Sequence, residues 1–239
     1  MTYLILSAGK GVKLQPLTLS HPKFLYRLDA NTTILQRIVR KIREFDKVAE
    51  IIVVVGYMHK QIQKELEEDN VIFVHNPFYS TTGSMGSLWF AREFLQRENV
   101  TIINGDIVIG DKMMQDIVCQ YTDYPYVLLD STHKDANKYN VQVQGELVCV
   151  MSKNLTGFVG NYASITKLDA VSARFLLEQL NLMVNEEMYN LFFEDALVQM
   201  IFQRNFELYY KDIKEYQWIE VDCVDDLLKA RQIQEDSKQ

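Results

Sequence analysis

Apolar runs and amphipathic stretches alternate along the first half of the chain. Short apolar runs are typical of buried strands, whereas apolar residues three or four positions apart are typical of one face of a helix. The pattern predicts strands at Tyr3–Ser7, Glu50–Val55, Val71–His75 and Val100–Asn104, and helices at Thr33–Phe45, His59–Glu67, Ser87–Gln96 and Asp111–Tyr121. Strands that alternate with helices of this length favour βαβ units and a parallel sheet.

The second half of the chain has a different order, with several strands in succession. Gly145 and Glu146 separate two short strands and predict a hairpin. The predicted strands are Tyr126–Asp130, Asn140–Gln144, Leu147–Met151, Tyr162–Lys167, Phe206–Lys211 and Trp218–Asp222, and the predicted helices are Ala170–Met183, Glu187–Gln203 and Val224–Gln234. Since no linker divides the halves, we expect one α/β domain over residues 1–239, with a mixed, mostly parallel sheet flanked by helices.

Composition and charge narrow the class of protein. The 239 residues are 48% hydrophobic and 24% charged, which is enough to bury the core of an ordinary α/β domain. The formal net charge of -7 argues against a general nucleic-acid binder, because such a protein needs a basic face. Local lysines and a metal ion can still make a positive pocket for a substrate with several phosphates.

The cysteines and the apolar runs bear on the compartment. Cys119, Cys149 and Cys223 are odd in number and widely spaced, which is typical of a reducing environment rather than of a disulfide framework. The chain starts with a strand-like run instead of a signal-type segment, and no apolar run approaches the ~20 residues that span a membrane. We therefore expect a cytoplasmic protein without membrane or nucleic-acid partners, and a homo-oligomer is left open.

A glycine-rich loop follows the first predicted strand. Small residues at Ser7, Ala8, Gly9 and Gly11 let backbone N–H groups approach a bulky anion, and Lys13 adds charge to the same loop. The loop is neither a GxxxxGK[ST] phosphate loop nor a GxGxxG dinucleotide loop. Taken alone, the glycines fit a tight turn with solvated lysines equally well.

The loop is part of a longer run that resembles a known family. Residues 6–25 read LSAGKGVKLQPLTLSHPKFL, similar to the signature LAAGxGxRLxPLTxxxPKxL of the nucleoside-triphosphate transferase family. That family includes sugar-1-phosphate nucleotidylyltransferases and phosphocholine cytidylyltransferases. Lys13 stands where the family usually has Arg, so its phosphate contact should be that of a point charge rather than a bidentate fork. The run WIEVD, which ends at Asp222, resembles the late E-[IV]-D motif of the phosphocholine cytidylyltransferase branch.

The resemblance implies a fold and an activity. The fold would be the Rossmann-like nucleotidyltransferase fold, with residues 1–122 binding the nucleotide and residues 123–239 shaping the acceptor site. The reaction would join CMP from CTP to a small phosphorylated acceptor, such as phosphocholine, and release pyrophosphate. Lys13 would stabilise the pyrophosphate and Lys23 would bridge the α-phosphate and the acceptor phosphate, although either lysine taken singly could be surface charge. The nucleotide would be bound by Ser7, Ala8, Gly9, Gly11, Gly83, Ser84 and Ser87.

Three carboxylates lie near predicted strand ends. Asp106 follows the strand Val100–Asn104, and Asp222 ends a strand that carries Glu220 two positions earlier on the same face. Ligands of open α/β sheets bind at the carboxyl ends of strands, and carboxylates that meet phosphate oxygens suit Mg²⁺. Asp106 and Asp222 could instead cap the helices that follow. The resemblance implies that these two residues hold the Mg²⁺ cofactor, with Glu220 as a supporting residue.

Aromatic and acidic residues of the second half are candidates for the acceptor site. Glu194 and Asp195 follow aromatic residues on a predicted helix, and Tyr162 lies on a predicted strand. An acidic and aromatic pocket suits a quaternary ammonium or an amine through ion-pair and cation–π contacts. The rings could instead fill the core, and the acidic pair could be a solvated helix face. We predict acceptor binding by Tyr162, Glu194, Asp195 and Glu220.

Three alternatives stay open on the sequence. The acceptor could be aminoethylphosphonate, or it could be a sugar-1-phosphate used with UTP or dTTP. The chain could also be a catalytically silent, nucleotide-binding regulatory subunit. The joint presence of Lys13, Lys23, Asp106 and Asp222 argues against a silent subunit, because a pure binder needs fewer of them.

Overall fold

A computed structural model describes residues 1–237 of the protein. The first half contains the strands β1 (Thr2–Ser7), β2 (Glu50–Val55), β3 (Ile72–His75), β4 (Asn99–Asn104) and β5 (Ile107–Ile109), and the helices α1 (Ile34–Phe45), α2 (His59–Glu65), α3 (Ser84–Phe90) and α4 (Asp111–Met113). Helix α3 is followed by a 3-10 turn, and α4 runs into a π-helical turn over Met114–Val118.

The second half contains six more strands and three more helices in the described part of the chain. The strands are β6 (Tyr126–Asp130), β7 (Asn140–Gln144), β8 (Leu147–Ser152), β9 (Gly160–Asp169), β10 (Tyr209–Asp212) and β11 (Trp218–Glu220). The helices are α5 (Ala170–Asn185), α6 (Phe193–Arg204) and α7 (Val224–Asp236).

Nine of the strands form one sheet in the order β3-β2-β1-β4-β9-β6-β10-β8-β7. Strands β3, β2, β1 and β4 are parallel, and β9 is inserted antiparallel between β4 and β6. Seven strands run in one direction and β8 and β9 run in the other. The predicted single α/β domain with a mixed, mostly parallel sheet is therefore confirmed, and the sheet is continuous across the two predicted halves.

Each face of the sheet has its own hydrophobic core, because successive strand residues point to opposite faces. In β1, Tyr3 and Ile5 pack with α1 and α7 on one face, whereas Leu4 and Leu6 pack with α3, α5 and α6 on the other. Helix α1 begins as its sequence predicts, since Thr33 and Gln36 form a reciprocal capping box at its N-terminus. Packing on both faces of the sheet fixes the positions of the strand ends at its edge.

Strand β5 was not predicted from the sequence. It follows β4 after a tight turn and pairs antiparallel with β11, with Ile107 opposite Glu220. The backbone N–H of Val221 also donates to the carbonyl of Asp106 (2.8 Å). This small second sheet places the segment around β11 beside the C-terminal end of β4.

The predicted helix Glu187–Gln203 begins later in the structure, at Phe193. The hydroxyl of Ser84 accepts a hydrogen bond from the Phe193 N–H (2.9 Å), and the Asp195 carboxylate accepts one from the Phe192 N–H (2.9 Å). These bonds satisfy the first N–H groups of the helix and set its start. The preceding residues form a turn instead of a helix.

Two expectations about cysteines and membranes can be compared with the described residues. Cys119, Cys149 and Cys223 are all free. None of the described helices has the length and apolar character needed to cross a bilayer.

Candidate active site

The glycine-rich loop after β1 is shaped by a left-handed residue. Gly11 has φ 63° and starts a 3-10 turn over Val12–Leu14, and its carbonyl accepts a hydrogen bond from the Thr18 hydroxyl (2.9 Å). A Cβ atom at Gly11 would lie 3.1 Å from the Lys23 side chain. Glycine at this position therefore allows both the turn and the close approach of Lys23.

The residues before Gly11 differ in how they face the space above the sheet. A Cβ added at Gly9 would meet no heavy atom of the described residues within 4 Å, so this part of the loop backbone is open. Ser7 is fully buried below it, and a Cβ at Gly105 would lie 2.1 Å from the Ser7 hydroxyl oxygen. Ser7 thus packs beneath the loop and does not line the space above it.

A cleft of about 340 Å³ opens at the carboxyl ends of β1 and β4. Both halves of the chain contribute to its walls. Twelve of the fifteen predicted site residues line it: Ala8, Gly9, Gly11, Lys13, Lys23, Gly83, Ser84, Ser87, Asp106, Glu194, Glu220 and Asp222. The remaining three, Ser7, Tyr162 and Asp195, lie outside this lining.

Three carboxylates and three lysines meet at the bottom of the cleft. Oxygens of Asp106, Glu220 and Asp222 lie within 4.8 Å of one another, because the β5–β11 pairing brings the two strand ends together. Lys23 donates a short hydrogen bond to Asp106, and Lys13 donates to Asp222 (2.9 Å). The third lysine, Lys138, contacts the same cluster from outside the lining of the cleft.

The carboxylate cluster fits a divalent metal ion. The Oδ1 atom of Asp106 is buried and has no hydrogen-bond partner among the described residues. The Oδ1 atom of Asp222 lies 4.0 Å from Lys23, whereas its Oδ2 atom is hydrogen-bonded to lysines. Each aspartate therefore keeps one oxygen for a hard cation such as Mg²⁺, which combines one or two carboxylates with phosphate oxygens and waters.

Lys138 is a site residue that the sequence analysis missed. Its ammonium donates to Glu220 Oε2 (2.7 Å) and to Asp222 Oδ2 (2.6 Å). Burial alone would raise the pKa of Asp222, but the hydrogen bonds from Lys138 and Lys13 outweigh it and lower that pKa to about 2. Burial and the charge of Asp106 raise the pKa of Glu220. Lys138 lies in a polar loop without a recognisable motif, so nothing in its spacing indicates this contact.

Glu194 is a buried acid in the wall of the same cleft. Its side chain is 4% exposed, its Oε2 atom has no hydrogen-bond partner among the described residues, and burial raises its pKa to about 8. Beside it, the ammonium of Lys153 lies 3.9 Å from the ring centroid of Phe192. Lys153 and Phe192 also line the cleft. Phe192 is one of the aromatic residues before Glu194 that the sequence offered for the acceptor site, whereas Lys153 was missed as a site residue.

Asp195 and Tyr162 face the protein rather than the cleft. Asp195 accepts hydrogen bonds from the Tyr139 hydroxyl (2.6 Å) and from the Phe192 N–H (2.9 Å), so it caps α6. Tyr162 is buried and its hydroxyl is hydrogen-bonded to Thr166 (2.8 Å). It lines a small recess of about 80 Å³ together with Lys138, Glu194 and Glu220.

The small residues at the start of α3 are required by packing, and they also leave space for a nucleotide base. A Cβ at Gly83 would lie 2.1 Å from the Leu191 carbonyl, because the turn before α6 packs against the start of α3. The Gly83 N–H donates to the Tyr189 carbonyl (3.0 Å). The Ser87 hydroxyl accepts from the buried Asn76 amide (3.0 Å). The run Gly83–Ser87 therefore joins the two halves of the cleft.

Comparison with known proteins shows several nucleotidyltransferases that are similar to this chain in sequence or in fold. The chain is 24% identical over 238 residues to choline-phosphate cytidylyltransferase of Streptococcus pneumoniae, covering 98% of both chains. The solved structure of CTP:phosphocholine cytidylyltransferase from the same organism superposes with a TM-score of 0.79 at 20% identity over 98% of both chains. Mannose-1-phosphate guanyltransferase beta-B of Xenopus laevis is 32% identical over 126 residues, which are 49% of this chain and 34% of the relative.

A family model also matches most of the chain. The model of the MobA-like NTP transferase domain matches residues 3–180, from the first strand to the middle of α5. The matched segment holds the glycine-rich loop, Lys13, Lys23 and Asp106. The chain therefore belongs to the family of MobA-like NTP transferase domains and is a nucleotidyltransferase.

Proposed function

We propose that the protein is a cytidylyltransferase that joins CMP from CTP to a small phosphorylated acceptor with a cationic head group, such as phosphocholine. The observation that carries this proposal is Glu194, a buried carboxyl with a free oxygen in the wall of the cleft. The full-length similarity to a choline-phosphate cytidylyltransferase supports CTP and a choline-like acceptor.

In this proposal, the nucleotide lies on the side of the cleft that the glycine-rich loop and α3 form. The backbone around Gly9 is open to a phosphate chain, and Lys13 and Lys23 supply positive charge beside it. The base would lie against Gly83, Ser84 and Ser87. The hydroxyl of Ser84 accepts from the Phe193 N–H, so its own proton is available to a base oxygen or nitrogen.

The reaction needs positioning and charge neutralisation more than a strong base. A phosphate oxygen of the acceptor, already anionic, forms a bond to the α-phosphorus of CTP. The bond from that phosphorus to the bridging oxygen breaks on the opposite side, and pyrophosphate leaves with the electron pair. Lys23 would contact the α-phosphate and the attacking phosphate, and Lys13 would contact the pyrophosphate. A Mg²⁺ ion held by Asp106 and Asp222 would neutralise phosphate charge.

The acceptor would lie across the cleft, with its head group at Glu194. Glu194 is costly to ionise because it is buried and its Oε2 atom has no hydrogen-bond partner among the described residues, even with the charge of Lys153 nearby, and a quaternary ammonium would add positive charge beside it. The ring of Phe192 beside it offers a face for a cation, as its contact with the Lys153 ammonium illustrates. Because Asp195 is committed to Tyr139 and to the start of α6, the proposal rests on Glu194 alone.

The proposal can be tested by pyrophosphate release from a panel of substrates. CTP, UTP, dTTP and GTP would each be paired with phosphocholine, phosphoethanolamine, aminoethylphosphonate and glucose-1-phosphate. We expect the highest kcat/KM with CTP and an acceptor that carries an ammonium group. Pyrophosphate release that is fastest with glucose-1-phosphate would overturn the proposed acceptor class. A lack of release with every pair would favour a regulatory, nucleotide-binding role.

A sugar-1-phosphate nucleotidylyltransferase is the second candidate. It is favoured by the 32% identity over 126 residues to a mannose-1-phosphate guanyltransferase. A neutral sugar would need hydrogen-bonding groups at its ring rather than a cation site, and Glu194 would then accept hydrogen bonds from sugar hydroxyls. The same panel separates the two candidates.

A further inference from the structure

Lys138 lies outside the lining of the main cleft, unlike the other two lysines, although Lys13 also reaches the small recess that Lys138 lines. Lys13 and Lys23 line the main cleft, where the nucleotide phosphates would lie. Lys138 lines the recess on the acceptor side and a second cavity of about 530 Å³ beyond Glu220, and it is not part of the main cleft lining. Phosphates in the main cleft can therefore draw Lys13 and Lys23 away from the carboxylates without displacing Lys138.

The loop that carries Lys138 is held in place. The buried Asn161 side chain accepts a hydrogen bond from the Asp135 N–H (2.8 Å) and donates one to the Asp135 carbonyl (3.0 Å). The Lys138 N–H donates to the same carbonyl (3.1 Å), and the next residue, Tyr139, is buried. The ammonium is thus placed on Glu220 and Asp222 by fixed backbone, with only 26% of its side chain exposed.

Charge balance gives this contact a consequence for metal binding. The three carboxylates Asp106, Glu220 and Asp222 are matched by the three ammonium groups of Lys13, Lys23 and Lys138. A divalent ion entering this neutral cluster gains little from long-range attraction, and the lysines already hold several of the oxygens. Phosphates that recruit Lys13 and Lys23 leave the carboxylates more negative and free the Oδ2 atom of Asp106, whereas Lys138 keeps its contact with Asp222 Oδ2.

We propose that Lys138 is a built-in counter-cation that makes tight metal binding depend on the nucleotide. It holds Glu220 and the Oδ2 atom of Asp222, so Asp106 and Asp222 bind a divalent ion weakly until nucleotide phosphates arrive. Lys138 is in this account a positioning residue that acts through the two carboxylates. The inference rests on the metal site proposed above, but not on the identity of the base or the acceptor.

The test is a titration of the nucleotide-free protein with Mn²⁺, in which electron paramagnetic resonance measures the concentration of the free ion. Lys138→Met should tighten Mn²⁺ binding about tenfold or more, since one unit charge at ~5 Å from a divalent ion has an effect of this size even in a water-like dielectric. Lys138→Arg should bind like the wild type. Lys134→Met removes the same charge from an exposed position of the same loop and should also bind like the wild type.

Two further measurements distinguish a wrong metal site from a wrong role for Lys138. Adding Asp106→Asn to Lys138→Met should abolish the tightened binding; if it does not, Mn²⁺ binds elsewhere and the metal site itself is wrong. Lys138→Gln serves as a second variant if the Met variant melts at a lower temperature than the wild type. Unchanged or weaker Mn²⁺ binding in the folded Lys138 variants, with Asp106 still required, would overturn the role of Lys138 and leave the metal site standing.

Discussion

Two groups of carboxylates lie in the same cleft and differ in their partners. Asp106, Glu220 and Asp222 share three lysines, and the pKa of Asp222 is lowered to about 2. Glu194 has an oxygen without a partner among the described residues, and its pKa is raised to about 8. The carboxylates of the first group are paired with lysines, and Asp106 and Asp222 each keep one oxygen for a metal ion. The second stays protonated at neutral pH until a cation reaches it.

The difference indicates two separate tasks for negative charge. The carboxylates that would hold the metal ion are paired with lysines, and such pairing favours the ionised form of a carboxyl. A charge that recognises a substrate can be left uncompensated, because the substrate supplies the cation and the selectivity follows from that need.

Removing the charge of the first group should have the largest effect. Asp106→Asn and Asp222→Asn should each lower Mg²⁺-dependent turnover on the order of 10²-fold or more, because metal stabilisation of phosphoryl charge is worth several kcal/mol. Initial rates of pyrophosphate release at saturating Mg²⁺ measure the loss, and circular dichroism checks the fold. Near-normal rates in both variants would reject the metal assignment.

Lys23 should matter more for turnover than for nucleotide binding. Lys23→Ala should lower kcat by roughly 10²-fold, as for the loss of a group aimed at developing charge, while the Kd of the nucleotide changes severalfold. Single-turnover kinetics and equilibrium binding measure the two quantities. An equal loss in both would make Lys23 a uniform binding group instead.

The second group predicts a pH dependence for cationic acceptors. Below its pKa of about 8, Glu194 is protonated and must lose its proton before it pairs with a cation. The KM for phosphocholine should therefore fall about tenfold between pH 7 and pH 9 and level off above that. In Glu194→Gln the same KM should be flat over this range; a slope that persists there would assign the titration to another group.

Asp195 gives the smallest predicted effect, and it concerns stability. Asp195→Ala removes the acceptor for the Phe192 N–H and the Tyr139 hydroxyl, so the free energy of unfolding should fall by about 1–2 kcal/mol. Urea unfolding measures this change. If Asp195→Ala altered the preference among acceptors without a loss of stability, Asp195 would be part of the head-group site after all.

The sequence predicted the parts of the site that lie in ordered motifs. The loop from Ser7 to Lys23 and the two strand-end aspartates carry a recognisable spacing, and the structure brings most of those residues to one cleft. The alternation of strands and helices also predicted the sheet, because burial on two faces dictates the apolar pattern.

The sequence could not predict contacts made by polar loops or by tertiary packing. In the sequence, Lys138 cannot be told from a surface lysine. Its contact with Glu220 depends on the β5–β11 pairing, which places Glu220 beside it. The start of α6 depends on the Ser84 hydroxyl, which is 109 residues away in the chain. Asp195 resembles its neighbour Glu194 in sequence, but in the structure Asp195 accepts hydrogen bonds from Tyr139 and from the Phe192 N–H, whereas Glu194 is buried in the cleft wall.

The proposed acceptor class depends on recognition of the cationic head group by Glu194. The most direct measurement is the ratio of kcat/KM for phosphocholine to that for glucose-1-phosphate, in the wild type and in Glu194→Gln, with CTP at pH 8.5. We predict a wild-type ratio well above one that falls by roughly 10- to 10²-fold in the variant, because a desolvated charge pair loses a few kcal/mol with one partner. A wild-type ratio below one, or a ratio unchanged by Glu194→Gln, would contradict the account.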